Sequence, residues 1–386
     1  KCVDLFSGGG GLSIGFQRAG FSTTGYEHDP EIAAVAQRNH LPTICQDLAA
    51  NPTVLDADVI VGGPPCQPFS EASKMKKQRE YEHDERNGVD VFVQIVLQKR
   101  PRAFLLEQSP NLVRNRLPYW QTLLPKLQAH YAIEDRVVNM THFHVPQKRK
   151  RYICIGFRKD TNVAPQGVLD PASSITSIRT VLPRIEKGMG PFLQEKTLRR
   201  IMKYEQRTGK HARTLRPSET ARTVTITNTF SKPGSNDCMR FAFDKDGNVI
   251  DGKILIADNL TYSQRKITFE ETCRLQTFPS TYRWSGAREK VQYTIVGNAV
   301  PPAFATLVAN RMAKKMEIQY SDCFLIAISS YVQEYLSQNE ITIISMKNLA
   351  YKYCKDCSNE EIKFIYDYFL LNRTIFFDGK LIFQSL

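Results

Sequence analysis

Three groups of residues in this chain have types and spacings suited to chemistry. Cys66 sits in "VGGPPCQPFS", residues 61–70, where an apolar run stops at glycines and prolines. A thiol at such a strand end is a nucleophile if a nearby cation lowers its pKa from about 8.5, and a small apolar filler if nothing does. "DLFSGGGGLSIGF", residues 4–16, is a glycine-rich turn between an apolar run and a helical pattern, with Glu27 ending the next apolar run. Glycines let a ligand approach the backbone, and a carboxylate at the second strand's end can accept both hydroxyls of a ribose. The turn also fits a phosphate binder. Its spacing is not G-x-G-x-x-G and it lacks a basic residue, so a nucleoside without phosphates, such as S-adenosylmethionine, fits better. Asp47, in "CQDL", can meet an adenine amino group or cap a helix.

These residues need a rigid frame. Short strand-like runs, the one ending at Phe6, the one in "STTGYEHDP" ending at Glu27, "PTICQDL", "ADVIVGGPP" and "AFLLEQS", alternate with helical patterns such as "EIAAVAQRNH" and "VDVFVQIVLQKRP". The alternation predicts a doubly wound, mostly parallel α/β sheet over residues 1–160. "AIEDRVVNM" and "RYICIGFRK" read as paired strands closing it. Residues 161–262 change character, with many Pro, Gly, Ser and Thr, recurrent Arg and Lys, and Asp-Gly turns. Helical patterning returns at "TFEETCRLQTF" and "PPAFATLVANRMAKKM", within 263–320. Residues 321–386 read as three amphipathic helices and an Asp-Gly hairpin, similar to a winged helix or else a docking appendage.

The chain of 386 residues carries 52 Lys and Arg against 39 Asp and Glu, a net charge of +13. That excess points to an anionic partner, nucleic acid first. Nine cysteines at irregular spacing suit reduced thiols in a cytoplasmic protein. Cys354 and Cys357 form the one close pair, without a second pair to complete a zinc site, so no metal is expected. No apolar run reaches the roughly 20 residues of a membrane span.

"DLFSGGGGLSIGF", "GGPPCQPFS", "VPQKRKR" and "YTIVGNAVPP", in that order, resemble the motifs of the DNA (cytosine-5)-methyltransferase family, prokaryotic type. "HDERNG" and "RKITFEETCRLQTFP" resemble two more. The resemblance covers roughly 1–312. It implies a Rossmann-like S-adenosylmethionine-dependent catalytic domain, an irregular target-recognition domain at about 161–262, and a C-terminal helical extension outside the family core.

The resemblance also implies roles. Cys66 becomes the nucleophile for cytosine C6, with Glu107 partnering N3 and Arg149 and Arg151 acting beside them. Phe6, Ser7, Gly8, Gly10, Gly11, Leu12, Glu27, His28, Asp47, Leu48, Pro65, Asn298 and Val300 become the S-adenosyl-L-methionine site. Gln67, Ser70, Lys74, Lys76, Lys77, Arg86 and Gln147 become contacts to double-stranded DNA, from which the target base is flipped. Where the family reads Glu-Asn-Val, this chain reads Glu107-Gln108-Ser109. The amide is kept with one methylene more, which leaves the placement of the Cys66 loop open. The expected function is DNA cytosine methylation in restriction-modification, by a monomer on DNA, with a restriction enzyme or a C-terminal-domain partner. The same chemistry on tRNA and a catalytically weak DNA-binding protein are the alternatives. Gln67-Pro68-Phe69-Ser70 favours DNA over tRNA.

Overall fold

The computed structural model describes residues 1–65, 88–114, 117–189, 193, 196, 199, 214–226, 239–251 and 263–317. Cys66, Gln67, Ser70, Lys74, Lys76, Lys77 and Arg86 lie outside the described residues, as do Cys354, Cys357 and the C-terminal extension.

A seven-stranded sheet organises the described chain. Its strands are β1 (Cys2–Leu5), β2 (Thr23–Glu27), β3 (Thr43–Cys45), β4 (Val59–Gly62), β5 (Ala103–Gln108), β6 (Tyr131–Asn139) and β8 (Lys150–Arg158), in the order β3-β2-β1-β4-β5-β8-β6. The first five are parallel, and β8 runs antiparallel between β5 and β6. The expected strand pair at 131–158 is therefore present as the β6–β8 ladder.

The sheet is buried on both faces, which is why its strands read as continuous apolar runs. Val59, Val61, Ala103, Leu105, Ile153 and Ile155 pack on one side against α1 (Gly11–Arg18) and the helix Pro302–Lys315. Ile60, Phe104, Leu106, Tyr152 and Cys154 pack on the other against α3 (Gly88–Lys99) and the helix Leu117–Gln128. Local sequence sets the helix starts. Asp29 caps α2 (Pro30–Arg38) by accepting the Glu31 and Ile32 amides, with Pro30 in the first turn. Thr268 and Glu271 form a reciprocal capping box on the helix Phe269–Leu275.

Two smaller ladders tie in the later chain. β7 (Gln147–Lys148) pairs in parallel with β9 (Ala221–Arg222), and β10 (Arg240–Phe243) pairs antiparallel with β11 (Ser263–Lys266). One expected Asp-Gly turn is present. Asp244 accepts the Asp246 and Asn248 amides, and Gly247 adopts a left-handed φ of 89°. At the heart of this region Arg265 and Glu271 form a fully buried bidentate pair, 2.7 and 2.8 Å, with Arg265 also lying over Phe241 and Phe243. No helix of the described residues is long and apolar enough to cross a membrane.

Candidate active site

The carboxyl ends of β1, β2, β4 and β5 meet at one sheet edge, the place where open α/β sheets bind ligands. After β1 the chain turns sharply through Phe6, with a left-handed φ of 57°, and Gly8, φ 55°. The Ser7 amide donates to the Tyr26 carbonyl at 2.9 Å, and the Gly8 amide to Glu27 Oε2 at 2.9 Å. Glu27 is buried. Its Oε1 accepts the Asp29 amide at 2.9 Å and lies 2.9 Å from His28 Nδ1. Oε2 thus carries one protein donor and Oε1 faces two nitrogens, and a carboxylate has about four acceptor positions, so acceptor capacity remains on Oε2 for a hydroxyl.

The turn is open on one side and closed on the other. Among the described residues, no atom beyond its chain neighbours lies within 4 Å of where a Cβ on Gly8 would stand, whereas a Cβ on Gly11 would lie 2.2 Å from the Val300 carbonyl oxygen. The "GNAV" segment thus packs directly against the head of α1. Tyr282 completes this wall by donating its hydroxyl to the Gly9 carbonyl at 2.7 Å. Val300 is buried, while Asn298 and His28 are exposed. Leu12 and Leu48 are buried in the core, one on each side of the sheet. Asp47 is exposed and accepts the Ala49 amide at 2.9 Å, so it caps a turn and not the helix of its alternative reading.

β5 supplies the second half of the site. Register pairs Gly62 with Leu106, which puts Glu107 beside Gly63. Glu107 Oε2 lies 3.2 Å from where a Cβ on Gly63 would stand, so the glycine leaves the carboxylate room. Glu107 is buried and forms an ion pair with Arg151 Nε, 2.9 Å from its Oε1. The next residue holds the turn that leads to Cys66. Gln108 donates from Nε2 to the Pro64 carbonyl at 3.1 Å and accepts the Ser109 amide at 2.7 Å. Pro64, Pro65 and the ring of Phe6 close around Gly88, each within about 3 Å of where its Cβ would stand. The chain therefore leaves the described structure at Pro65 and returns at Gly88 at one place on the sheet edge.

The "QKRKR" run divides by alternation. Arg151 reaches Glu107. Arg149 does not: its fully buried guanidinium donates to the carbonyls of Val224, Gly297 and Asn298 at 3.2, 3.2 and 3.4 Å. Gln147 requires a correction. It is 0% exposed, and its amide is taken up by the Leu275 carbonyl, Gln276 Oε1 and the Val224 amide, so it cannot touch nucleic acid. Gln276 extends the network by donating to the Ala299 carbonyl at 2.7 Å. These two buried arms join three chain segments that the motifs keep far apart in sequence.

Sequence reasoning misses Tyr282 and Gln276 as site supports. The available signal was position: Gln276 is the glutamine of "RLQTFP" itself, and Tyr282 follows it closely. A cavity of about 750 Å³ lies elsewhere, between Arg18, Leu182, Met189, Arg274 and Phe278, and none of the site residues above lines it.

Sheet order, glycine turn and carboxylate-bearing edge together define a Rossmann-like methyltransferase fold. The C-5 cytosine-specific DNA methylase family matches residues 1–314, and the chain belongs to it. It is a DNA cytosine-5 methyltransferase. Type II methyltransferase M.AplI of Arthrospira platensis is 29% identical over 324 residues, covering 82% of this chain and 86% of its own. M1.HphI of Haemophilus parahaemolyticus is 30% identical over 333 residues, covering 81% and 86%. Among solved structures, the Entamoeba histolytica methyltransferase EhMeth superposes with a TM-score of 0.60 at 16% identity, covering 82% of this chain and 97% of that one. A Spodoptera frugiperda DNMT2 variant gives 0.58 at 18% identity, covering 82% and 99%.

Proposed function

We propose that the chain methylates C5 of a flipped-out cytosine in duplex DNA, with Cys66 as nucleophile and S-adenosylmethionine as methyl donor. The observation that carries this is the single edge on which the Glu107–Arg151 pair, the Gln108-held Pro64 turn and the Glu27-backed glycine turn lie side by side. The open face at Gly8 and the remaining acceptor positions of Glu27 fit a nucleoside without phosphates. Glu27 would hold the ribose, Asp47 the adenine, and Phe6, Pro65 and Val300 the walls.

S-adenosylmethionine, when bound, supplies an electrophilic methyl group. The protein makes C5 able to take it. The Cys66 thiolate forms a bond to C6, and the ring electrons move onto C5 and N3. Glu107 donates a proton or hydrogen bond at N3 as charge gathers there. Arg151, fixed on Glu107, orients that carboxyl and supplies positive charge. Loss of the C5 proton to a base and cleavage of the C6–S bond then restore the aromatic ring and the free thiol.

The names of the relatives, Type II methyltransferases, support a place in restriction-modification. The decisive experiment offers methyl-labelled S-adenosylmethionine with duplex DNA or tRNA. 5-Methylcytosine in DNA, absent with Cys66→Ser, is expected. Label in tRNA would move the substrate, and label in neither would remove the enzymatic reading. Bisulfite sequencing of expressing cells then reports the target.

A further inference from the structure

The short β7–β9 ladder joins the catalytic sheet's neighbourhood to the segment expected to recognise DNA. Its first register pair, Gln147 and Ala221, is fully buried. Its second, Lys148 and Arg222, is exposed. Adjacent strands lie about 4.8 Å apart, so two cations face solvent side by side. Like charges directly opposite each other in a sheet are destabilising. Among the described residues no carboxylate pairs with either one, although thirteen other cation–carboxylate contacts do form, Arg158–Asp160 and Arg288–Glu31 among them. Exposed Lys150 extends the same positive run.

The pair is held rigidly. Ala221 donates to the Pro146 carbonyl at 2.7 Å, Val224 to Gln147 Oε1 at 2.8 Å, and the Thr223 hydroxyl to the Lys148 carbonyl at 2.8 Å. It is also close to the chemistry. Lys148 and Arg151 are three positions apart, and consecutive Cα atoms are about 3.8 Å apart, so their Cα atoms lie within about 11 Å. We infer that Lys148 and Arg222 form a two-point clamp for duplex phosphates near the target base, one point from each of two neighbouring strands. This rests on the DNA-methylating function proposed above. Such a clamp adds affinity and register without reading sequence.

The test is the salt dependence of binding to a short duplex by the full chain, with K148Q/R222Q compared against K314Q/K315Q. The latter removes equal charge from the last turn of the helix Pro302–Lys315. Each phosphate contact contributes about 0.9 to the log–log slope, so the clamp variant should lose about two contacts' worth. Its affinity drop between about 50 and 200 mM salt should shrink by roughly tenfold, with cofactor KM unchanged. The control should keep the wild-type slope. Equal slopes for the clamp variant and wild type, or equal reductions in clamp variant and control, would overturn the clamp. If wild type neither binds nor methylates duplex DNA, the function itself fails and the clamp with it, a result distinct from equal slopes.

Discussion

The carboxamide of Gln108 bridges two backbone segments, donating to the Pro64 carbonyl at 3.1 Å and accepting the Ser109 amide at 2.7 Å. The extra methylene relative to the family's asparagine does not leave the Cys66 turn unsupported. It is the length at which this backbone spacing is spanned. Asparagine at 108, although the family's own residue, should be too short to serve both partners. Gln108→Ala would leave a buried carbonyl and amide unpaired, costing about 1–3 kcal/mol. Displacement of the turn by about 1 Å would lower kcat about 10²-fold. Gln108→Asn is expected between wild type and alanine in single-turnover rate. An asparagine variant faster than wild type would refute this account.

Glu107 and Arg151 should separate binding from chemistry. Glu107→Gln keeps size and hydrogen bonding at N3 but removes the acid and the charge that meets Arg151. We expect single-turnover methylation to fall about 10²–10⁴-fold, the usual worth of a placed acid–base group, with duplex and cofactor affinities unchanged. Arg151→Ala should lower the rate as well, because it leaves a buried carboxylate beside Gly63 without its cation. Turnover of Glu107→Gln within a few-fold of wild type would take the glutamate out of the mechanism.

The parallel sheet and the site edge were legible because strands buried on both faces must be apolar throughout, as "ADVIVGG" and "AFLLEQ" are. Glu27 and Glu107 stood out for the opposite reason, as charges ending such runs. The β7–β9 ladder was not legible. Two residues per strand make no periodicity, and its partners are separated by more than seventy positions. That gap explains Gln147, which looks like a surface residue in a basic run until the ladder buries it. The helix Glu289–Asn298 was missed because "YTIV" is β-branched and apolar, and only its packing of Tyr293, Ile295 and Val296 makes it helical.

Tyr282 offers a test of how the glycine turn is held. Burial pushes its hydroxyl pKa up, so it remains a proton donor to the Gly9 carbonyl. Its ring also packs against Phe278 and Trp284. Tyr282→Phe keeps that packing and removes one hydrogen bond worth about 0.5–1.5 kcal/mol. Cofactor dissociation should rise roughly 2- to 10-fold by the same figure, with kcat at saturating cofactor and duplex affinity unaltered. Calorimetric titration of the cofactor product into both proteins would show it, and equal affinities would contradict the assignment.

Asp4 should make stability depend on pH in an unusual direction. It is fully buried beneath the glycine turn, where Oδ2 accepts the Ser13 amide at 3.0 Å and its hydroxyl at 2.7 Å, while Oδ1 has no hydrogen-bond partner among the described residues. Burial raises its pKa from 3.8 to about 7; the Ser13 bonds oppose this and the Glu27 charge adds to it. Between those two values the folded chain holds a proton that the unfolded chain has released. Stability from this group is therefore complete below about pH 4, falls as pH rises toward 7, and is level above. Asp4→Asn is neutral throughout and keeps an oxygen for Ser13. The urea midpoint of wild type minus that of the variant should decline from pH 5 to 7.5 and then flatten. A difference that stays constant over that window would mean that Asp4 does not titrate there.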